Sequence, residues 1–227
     1  VRTRRVSVLR GSAAIADGAG GFVIDTIEVD APAAGEVRVA LAAAGVCHTD
    51  HASLRWDGPL VMGHEGAGIV ESVGAGVEGL AAGQAVLLNW AIPCGACPQC
   101  ARGDQALCER TLARGHGASG GSAARVGGTR WRGAPVARAF QLGTFAQYSL
   151  VRAEALTPLP DTLPPDPACV LGCAVMTGVG SVFNIARVAA GESVAVLGCG
   201  GVGLNVVQGA RMAGADRIIG VDLNPAR

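Results

Sequence analysis

From Ser193 to Asp222 the chain reads S-V-A-V-L-G-C-G-G-V-G-L-N-V-V-Q-G-A-R-M-A-G-A-D-R-I-I-G-V-D. An apolar run, a glycine turn, an amphipathic run ended at Gly214 and a second apolar run ended at Asp222 follow one another at strand, turn, helix and strand lengths. Two parallel strands need a crossover connection, so this pattern predicts a βαβ unit. The turn spells G-x-G-x-x-G, with Gly198, Gly200 and Gly203 at the glycine places and Gly201 and Val202 opening the helix. Gly198 permits the tight turn, Gly200 lets a pyrophosphate approach the backbone, and Gly203 lets helix and strand pack. The helix N-terminus then offers free N–H groups to phosphate. Asp222, 19 residues after Gly203, can accept hydrogen bonds from an adenosine ribose and would repel a 2′-phosphate, which predicts NAD rather than NADP. The alternative is a glycine-rich strand turn that holds no nucleotide.

Cysteine spacing is the next constraint. Cys94, Cys97, Cys100 and Cys108 lie in P-C-G-A-C-P-Q-C-A-R-G-D-Q-A-L-C. Four thiolates in so short a lobe can close a tetrahedron around zinc, with Gly95 and Gly103 permitting the turns. A closed site of this kind contributes folding energy and does no chemistry. All eight cysteines are expected as thiols or metal ligands rather than disulfides, since the basic start V-R-T-R-R-V-S-V-L-R-G lacks the apolar region of a signal peptide. A cytoplasmic location is the corresponding expectation.

A third stretch, Gly45 to Gly68, gathers reactive groups. G-V-C-H-T-D-H places Cys47, His48, Thr49, Asp50 and His51 in consecutive positions, and G-H-E-G-A-G places His64 and Glu65 downstream. Thiolate and imidazole suit zinc, and a catalytic zinc takes three protein ligands and leaves one position open. Cys47 and His64 supply two, and Cys173 is the candidate third. Taken alone, Cys173 reads as a small buried hydrophobe, as does Cys169.

Around these motifs the chain shows strand-like runs at Arg4 to Leu9, Phe22 to Val29, Glu36 to Ala44, Gly68 to Val73, Ala85 to Asn89 and Gln141 to Val151, punctuated by Gly and Pro. Short strands with close turns predict a compact β-barrel. L-T-P-L-P-D-T-L-P-P-D-P reads as an extended linker. A helix in two pieces, broken at Gly172-Cys173, follows it. Domains are expected at 1–174, with the zinc lobe at 94–108, and at 175–227. Arg110 to Arg152 is rich in Arg and holds no acidic residue; it reads as a solvated loop or as a contact to an anionic substrate or partner subunit. His116 within it reads as a surface histidine. Net charge is zero, which gives no electrostatic ground for nucleic-acid or membrane binding. No 18-residue apolar span is expected. Only eight residues are aromatic, so the core should be built from small side chains.

G-V-C-H-T-D, G-H-E-G-A-G, the four-cysteine lobe, C-A-V-M-T-G and G-C-G-G-V-G together resemble the zinc-dependent medium-chain alcohol dehydrogenases, from about Val6 to the last residue. The resemblance implies a β-rich GroES-like barrel followed by the first βαβ unit of an α/β Rossmann domain, two zincs per chain and NAD. It implies catalytic zinc on Cys47, His64 and Cys173, with Glu65 beside the metal and Asp50 orienting His64. Thr49 matches the group that takes the alcohol proton. His48 matches a contact to the coenzyme pyrophosphate, Thr177 one beside the nicotinamide, Arg227 one near the adenosine ribose, and Trp90 a wall of the substrate pocket. Relatives that finish the proton relay with a histidine carry it five residues after the cysteine ligand. Here His51 stands four after it and Ala52 occupies the fifth place, so His51 is either a relay group or a solvated histidine.

The activity this implies is reversible hydride transfer between a primary or aromatic alcohol and NAD, with a small-molecule alcohol or aldehyde as the partner and a homo-oligomer as the full-length form. L-G-T-F-A-Q-Y and the Arg-rich stretch also resemble the branch that oxidises thiol adducts of formaldehyde. The family's coenzyme domain has six strands and this chain holds two, so a fragment of a longer enzyme, or a non-catalytic zinc-binding module, is a further expectation.

Overall fold

The computed structural model describes residues 8–109 and 128–227. Two compact units divide between Cys169 and Val170. The first is built from β1 (Leu9–Ala16), β2 (Phe22–Val29), β3 (Glu36–Gly45), β4 (Leu60–Val61), β5 (Glu65–Val73), β6 (Ala85–Leu88), β7 (Thr129–Trp131), β8 (Ala134–Pro135), β9 (Ala137–Arg138), β10 (Tyr148–Arg152) and β11 (Leu156–Pro158), with α1 (His48–Ser53), α2 (Pro98–Ala101) and α3 (Pro165–Ala168) between them. Six strands make one sheet in the order β8-β7-β2-β1-β4-β9, and five make another in the order β10-β3-β5-β6-β11. The chain between Thr144 and Gln147 stitches the two together. Phe145 accepts from Ala14 N–H, Gln147 donates to Ser12, and Leu41 N–H donates to Gln147. The result is a nearly closed, barrel-like β unit, as the sequence resemblance implied.

The barrel core is made of Val, Leu, Ile and Ala. Val37, Val39, Val86 and Leu88 meet Leu142 and Val151 in one cluster, and Ile15, Ile27, Val29 and Leu150 form another. Arg38 is buried with them at 1% exposure. Its Nε donates to Glu71 at 2.7 Å and its guanidinium also reaches the carbonyls of Val29 and Asp30, so its charge is paired and hydrogen-bonded inside the wall.

Several sequence expectations are corrected here. The first strand is Leu9–Ala16 rather than Arg4 to Leu9, and residues 1–7 lie outside the described part. Its small residues look weak as strand formers, yet Gly11 is required where it stands: a Cβ there would come within 2.9 Å of the Tyr148 ring. The run Gln141 to Val151 becomes strand only from Tyr148. Before it, Ala139–Gln141 is a short helical turn in which Phe140 and Gln141 take φ of 50° and 62°. The proline-rich linker is part strand and part helix: β11 pairs with β6, and Pro165 opens α3, where a missing N–H costs nothing. The helical stretch after it is not broken at Gly172-Cys173. It runs Pro165–Ala186, and Leu171–Val175, which holds Gly172, and Ser181–Ala186 are π-helical turns within it. This stretch also corrects the expectation of no long apolar span. It has 22 residues, and an 18-residue window within it has a mean hydropathy of 1.8, enough by length and composition to cross a membrane.

The second unit holds β12 (Ser193–Leu197), α5 (Gly201–Met212) and β13 (Arg217–Val221) as a parallel βαβ unit, with α4 (Met176–Gly180) packed on α5. Glycines allow that packing: a Cβ at Gly178 would lie 2.5 Å from Asn205 Cβ. Gly214 ends the α5 region with φ of 81°, the left-handed turn expected of a helix stop.

Candidate metal and coenzyme sites

In the lobe, sulfur meets sulfur. Cys97 Sγ lies 3.5 Å from Cys100 Sγ and 3.9 Å from Cys108 Sγ, and Cys94 Sγ lies 4.0 Å from Cys100 Sγ. A tetrahedron with zinc–sulfur bonds of about 2.3 Å has edges of about 3.8 Å, so the four sulfurs fit a zinc. Backbone N–H groups already point at them. Cys94 N–H donates to Cys108 Sγ and Cys97 N–H to Cys94 Sγ, each at 3.3 Å. The N–H groups of Cys100 and then Glu109 bring the Cys97 thiol down to about 6, while burial pushes Cys100 up to about 12. One thiol is ready to ionise and another resists, which is the conflict a divalent cation removes.

The second group is built on α1 and the start of β5. Cys47 caps α1 and Asp50 lies buried one turn in. Asp50 ties the two halves of the site together: Oδ2 accepts the Cys47 backbone N–H at 2.8 Å, and Oδ1 lies 3.0 Å from His64 Nδ1. Ser53 Oγ donates to the Asp50 carbonyl at 2.8 Å and steadies the turn. With Nδ1 engaged, His64 has Nε2 left for a metal, the usual arrangement of a carboxylate-supported ligand. Cys47 Sγ, a His64 ring nitrogen and a Glu65 carboxylate oxygen lie within 4.8 Å of one another. His64 and Glu65 are each 2% exposed. One thiolate, one imidazole and one carboxylate at this spacing are a zinc-type donor set.

Other members of the same stretch lie on α1. Thr49 is half-buried on α1, and His48 and His51 are exposed on it with ring centroids 5.9 Å apart. Cys169 keeps its proton: burial, then the Glu65 and Asp166 carboxylates, raise its thiol, and Sγ donates to the Asp166 carbonyl. Cys173 lies in the second unit, in the π-turn Leu171–Val175, and is half-buried. Thr177 is in α4 of that unit.

A cluster of three aromatic rings meets His64 through Phe140, and of the three the sequence pointed only to Trp90 as a pocket wall. Phe140 lies 4.9 Å from the imidazole, Trp56 packs edge-on to Phe140 at 5.4 Å, and Trp90 lies 5.3 Å from it. The one signal available was scarcity, since few aromatics are spent in this chain and three of them converge here.

In the second unit Gly198 takes φ of 93° and a Cβ at Gly203 would run into the Gly198 carbonyl. Gly200 caps α5, which opens at Gly201 and Val202. Asp222 accepts the Cys199 N–H at 2.7 Å and the Asn224 N–H at 2.8 Å. Those two N–H groups, Asn224 first, hold its carboxyl below the usual carboxylate range, with Arg227 adding a weaker pull. Arg227 lies 4.0 Å from Asp222 and stands over Gly200.

Comparison with known proteins completes the picture. Residues 33–161 match the alcohol dehydrogenase GroES-like domain. The chain belongs to the zinc-dependent alcohol dehydrogenase family. A curated S-(hydroxymethyl)glutathione dehydrogenase of Photobacterium damsela subsp. piscicida is 38% identical over 96% of this chain and 60% of its own length. Among solved structures, an alcohol dehydrogenase zinc-binding domain protein from Burkholderia ambifaria superposes with a TM-score of 0.88 at 38% identity, over 97% of this chain and 60% of that one. Benzyl alcohol dehydrogenase from Acinetobacter calcoaceticus gives 0.84 at 30%, over 96% and 60%. The chain thus spans about 60% of the length of these alcohol dehydrogenases.

The Arg-rich stretch is explained in part by the barrel wall. Arg130 pairs with Glu28 and Asp30, Arg132 with Asp25, and Arg152 with Glu154. Residues 110–127, with Arg110, His116 and Arg125, lie outside the described residues.

Proposed function

We propose that this chain carries the zinc and coenzyme motifs of an NAD-dependent alcohol dehydrogenase that interconverts a primary or aromatic alcohol and its aldehyde. The observation that carries the reading is the convergence of Cys47, His64 and Glu65 with Asp50 behind the imidazole. Cys173 is proposed as the third ligand on its sequence context, and the Cys94 lobe as a second, structural zinc. Zinc would act at this site as a Lewis acid that makes an alcohol easier to deprotonate, and NAD would accept the hydride.

What the chain's own residues do follows from their chemistry. Asp50 holds the His64 ring in the orientation that presents Nε2. Thr49, half-buried beside exposed solvent on α1, takes the alcohol proton and passes it outward, with His51 or water as the next acceptor. Phe140, Trp56 and Trp90 offer an apolar wall that suits a benzyl-type substrate. Gly198, Gly200 and Gly203 with the first turn of α5 receive the pyrophosphate, assisted by His48. Asp222 accepts the ribose hydroxyls beside Arg227, and Thr177 flanks the nicotinamide. A second reading, oxidation of a glutathione adduct of formaldehyde, is favoured by the name of the Photobacterium relative.

The test has two steps. Native mass spectrometry counts zinc per chain; two are expected, and a single zinc lost on Cys94→Ser but not on Cys47→Ser would leave a zinc-binding module without the catalytic site. With two zincs bound, NAD reduction with benzyl alcohol is compared with that on formaldehyde plus glutathione, and the larger kcat/KM assigns the substrate.

A further inference from the structure

His64 and Glu65 are flanked by two glycines, Gly63 and Gly66, and both glycines face one side chain. A Cβ at Gly66 would come 2.7 Å from Thr144 Cγ2 and 3.0 Å from its Cβ. A Cβ at Gly63 would come 2.5 Å from Thr144 Oγ1. Gly63 itself takes φ of 90°, so the chain bends sharply just before His64. Thr144 is 2% exposed, and its backbone is tied to the same bend, with its N–H donating to the Gly63 carbonyl at 3.1 Å and the Phe145 N–H to Met62 at 2.9 Å.

We propose that Thr144 is a positioning residue whose branched side chain, with Cγ2 against Gly66 and Oγ1 against Gly63, sets the backbone that aims the His64 and Glu65 side chains. This deepens the reading of Cys47 and His64 as zinc ligands and rests on it. Asp50 fixes the ring through Nδ1, and Phe140 covers one face of it. Neither controls the backbone from which the ring springs. Thr144 does, because it touches the chain immediately before and immediately after the pair. Hydrogen bonding is not what acts: Oγ1 fills space beside Gly63, is buried, and has no hydrogen-bond partner among the described residues. A buried hydroxyl without a partner is a cost rather than a contribution. The shape of a β-branched side chain is therefore the property used, and valine shares it.

The prediction separates shape from polarity. Thr144→Val keeps the wedge and removes the unpartnered hydroxyl, so its thermal midpoint should rise by about 2–4 °C. Its zinc release from the Cys47/His64 site should match the parent chain. Thr144→Ser and Thr144→Ala remove the methyl and should speed zinc release from that site by about tenfold or more, the effect of losing a support behind a metal ligand. Zinc in the four-cysteine lobe serves as the control and should be unchanged in every variant. The same comparison is made without metal, by following the His64 Nδ1 proton held by Asp50 in proton NMR. That signal should persist in the parent and in Thr144→Val and exchange away in Thr144→Ser. Equal zinc release and an intact ring proton in Thr144→Ser overturn the proposal, as does a Thr144→Val protein that behaves like Thr144→Ala. A parent chain that binds no zinc at Cys47 and His64 overturns the metal reading instead, and the ring-proton comparison then decides the role of Thr144 alone. Should Thr144→Ala not fold, the Val and Ser variants carry the test.

Discussion

The four-cysteine lobe and the His64 site use overlapping ligand chemistry and are built in opposite ways. In the lobe, the donors to sulfur among the described residues come from within the same short segment: Cys97 N–H to Cys94, Cys100 N–H to Cys97, Cys94 N–H to Cys108. The sulfurs converge because the local turns make them converge, and little of the barrel is involved. At His64 the local chain supplies Cys47, Asp50 and Glu65, while Phe140 and Thr144 arrive from a distant part of the sequence that the barrel folds back onto β5. A site made locally is an all-or-none object held by its metal. A site made by a scaffold is graded, and each supporting contact can be weakened separately.

The largest expected effect breaks the lobe. Cys97→Ser removes a thiol that backbone N–H groups bring down to about 6 and leaves three sulfurs for a metal that wants four. Native mass spectrometry should show one zinc fewer, and the thermal midpoint should fall on the order of 10 °C, because structural zinc binding is folding free energy. The zinc at Cys47 and His64 should stay. A variant that lost both zincs would show that the lobe is not the self-contained object its hydrogen bonds describe.

A smaller effect is expected at the scaffolded site. Asp50→Asn keeps the size of the side chain and an acceptor for the Cys47 N–H, but removes the charge behind His64 Nδ1. Zinc affinity at this site should fall by about 10–100-fold, with the lobe unaffected. Competition with a chelator of known affinity measures it, and an unchanged affinity would mean that Asp50 holds the helix rather than the imidazole.

The same contrast explains what could be read from the sequence. The lobe was legible because its ligands and its turn glycines are neighbours in the chain. The βαβ unit was legible for the same reason, with Gly198, Gly203 and Gly214 standing at the turns that need them. Cys47, Asp50 and His64 were legible as chemistry, from residue type and order. Phe140 was not, because it sits in a left-handed turn just before a run that reads as strand, and its partner His64 is far off in the sequence. Thr144 was hidden more deeply still, since nothing in L-G-T-F-A-Q-Y announces that a threonine side chain will meet Gly63 and Gly66, far off in the sequence. Local pattern shows which groups are present; barrel closure decides what leans on them.

Trp90 gives the smallest effect and the finest division between the two regions. By sequence it belongs to the lobe, four residues before Cys94. By contact it belongs to the scaffold, packed on the Val37 and Leu88 cluster and 5.3 Å from Phe140. Its indole N–H is buried and has no partner among the described residues, so the ring's shape is used there and its polarity is not. Trp90→Phe should therefore keep both zincs and leave stability within about 1 kcal/mol of the parent, because the loss of packing is offset by removal of an unpaired donor. Trp90→Ala should cost about 3–5 kcal/mol through the cavity it opens. Chemical denaturation of the two variants reads the difference. A Trp90→Phe protein as unstable as Trp90→Ala would mean that the indole N–H has a partner in solution, and the aromatic wall beside His64 would then have a polar edge.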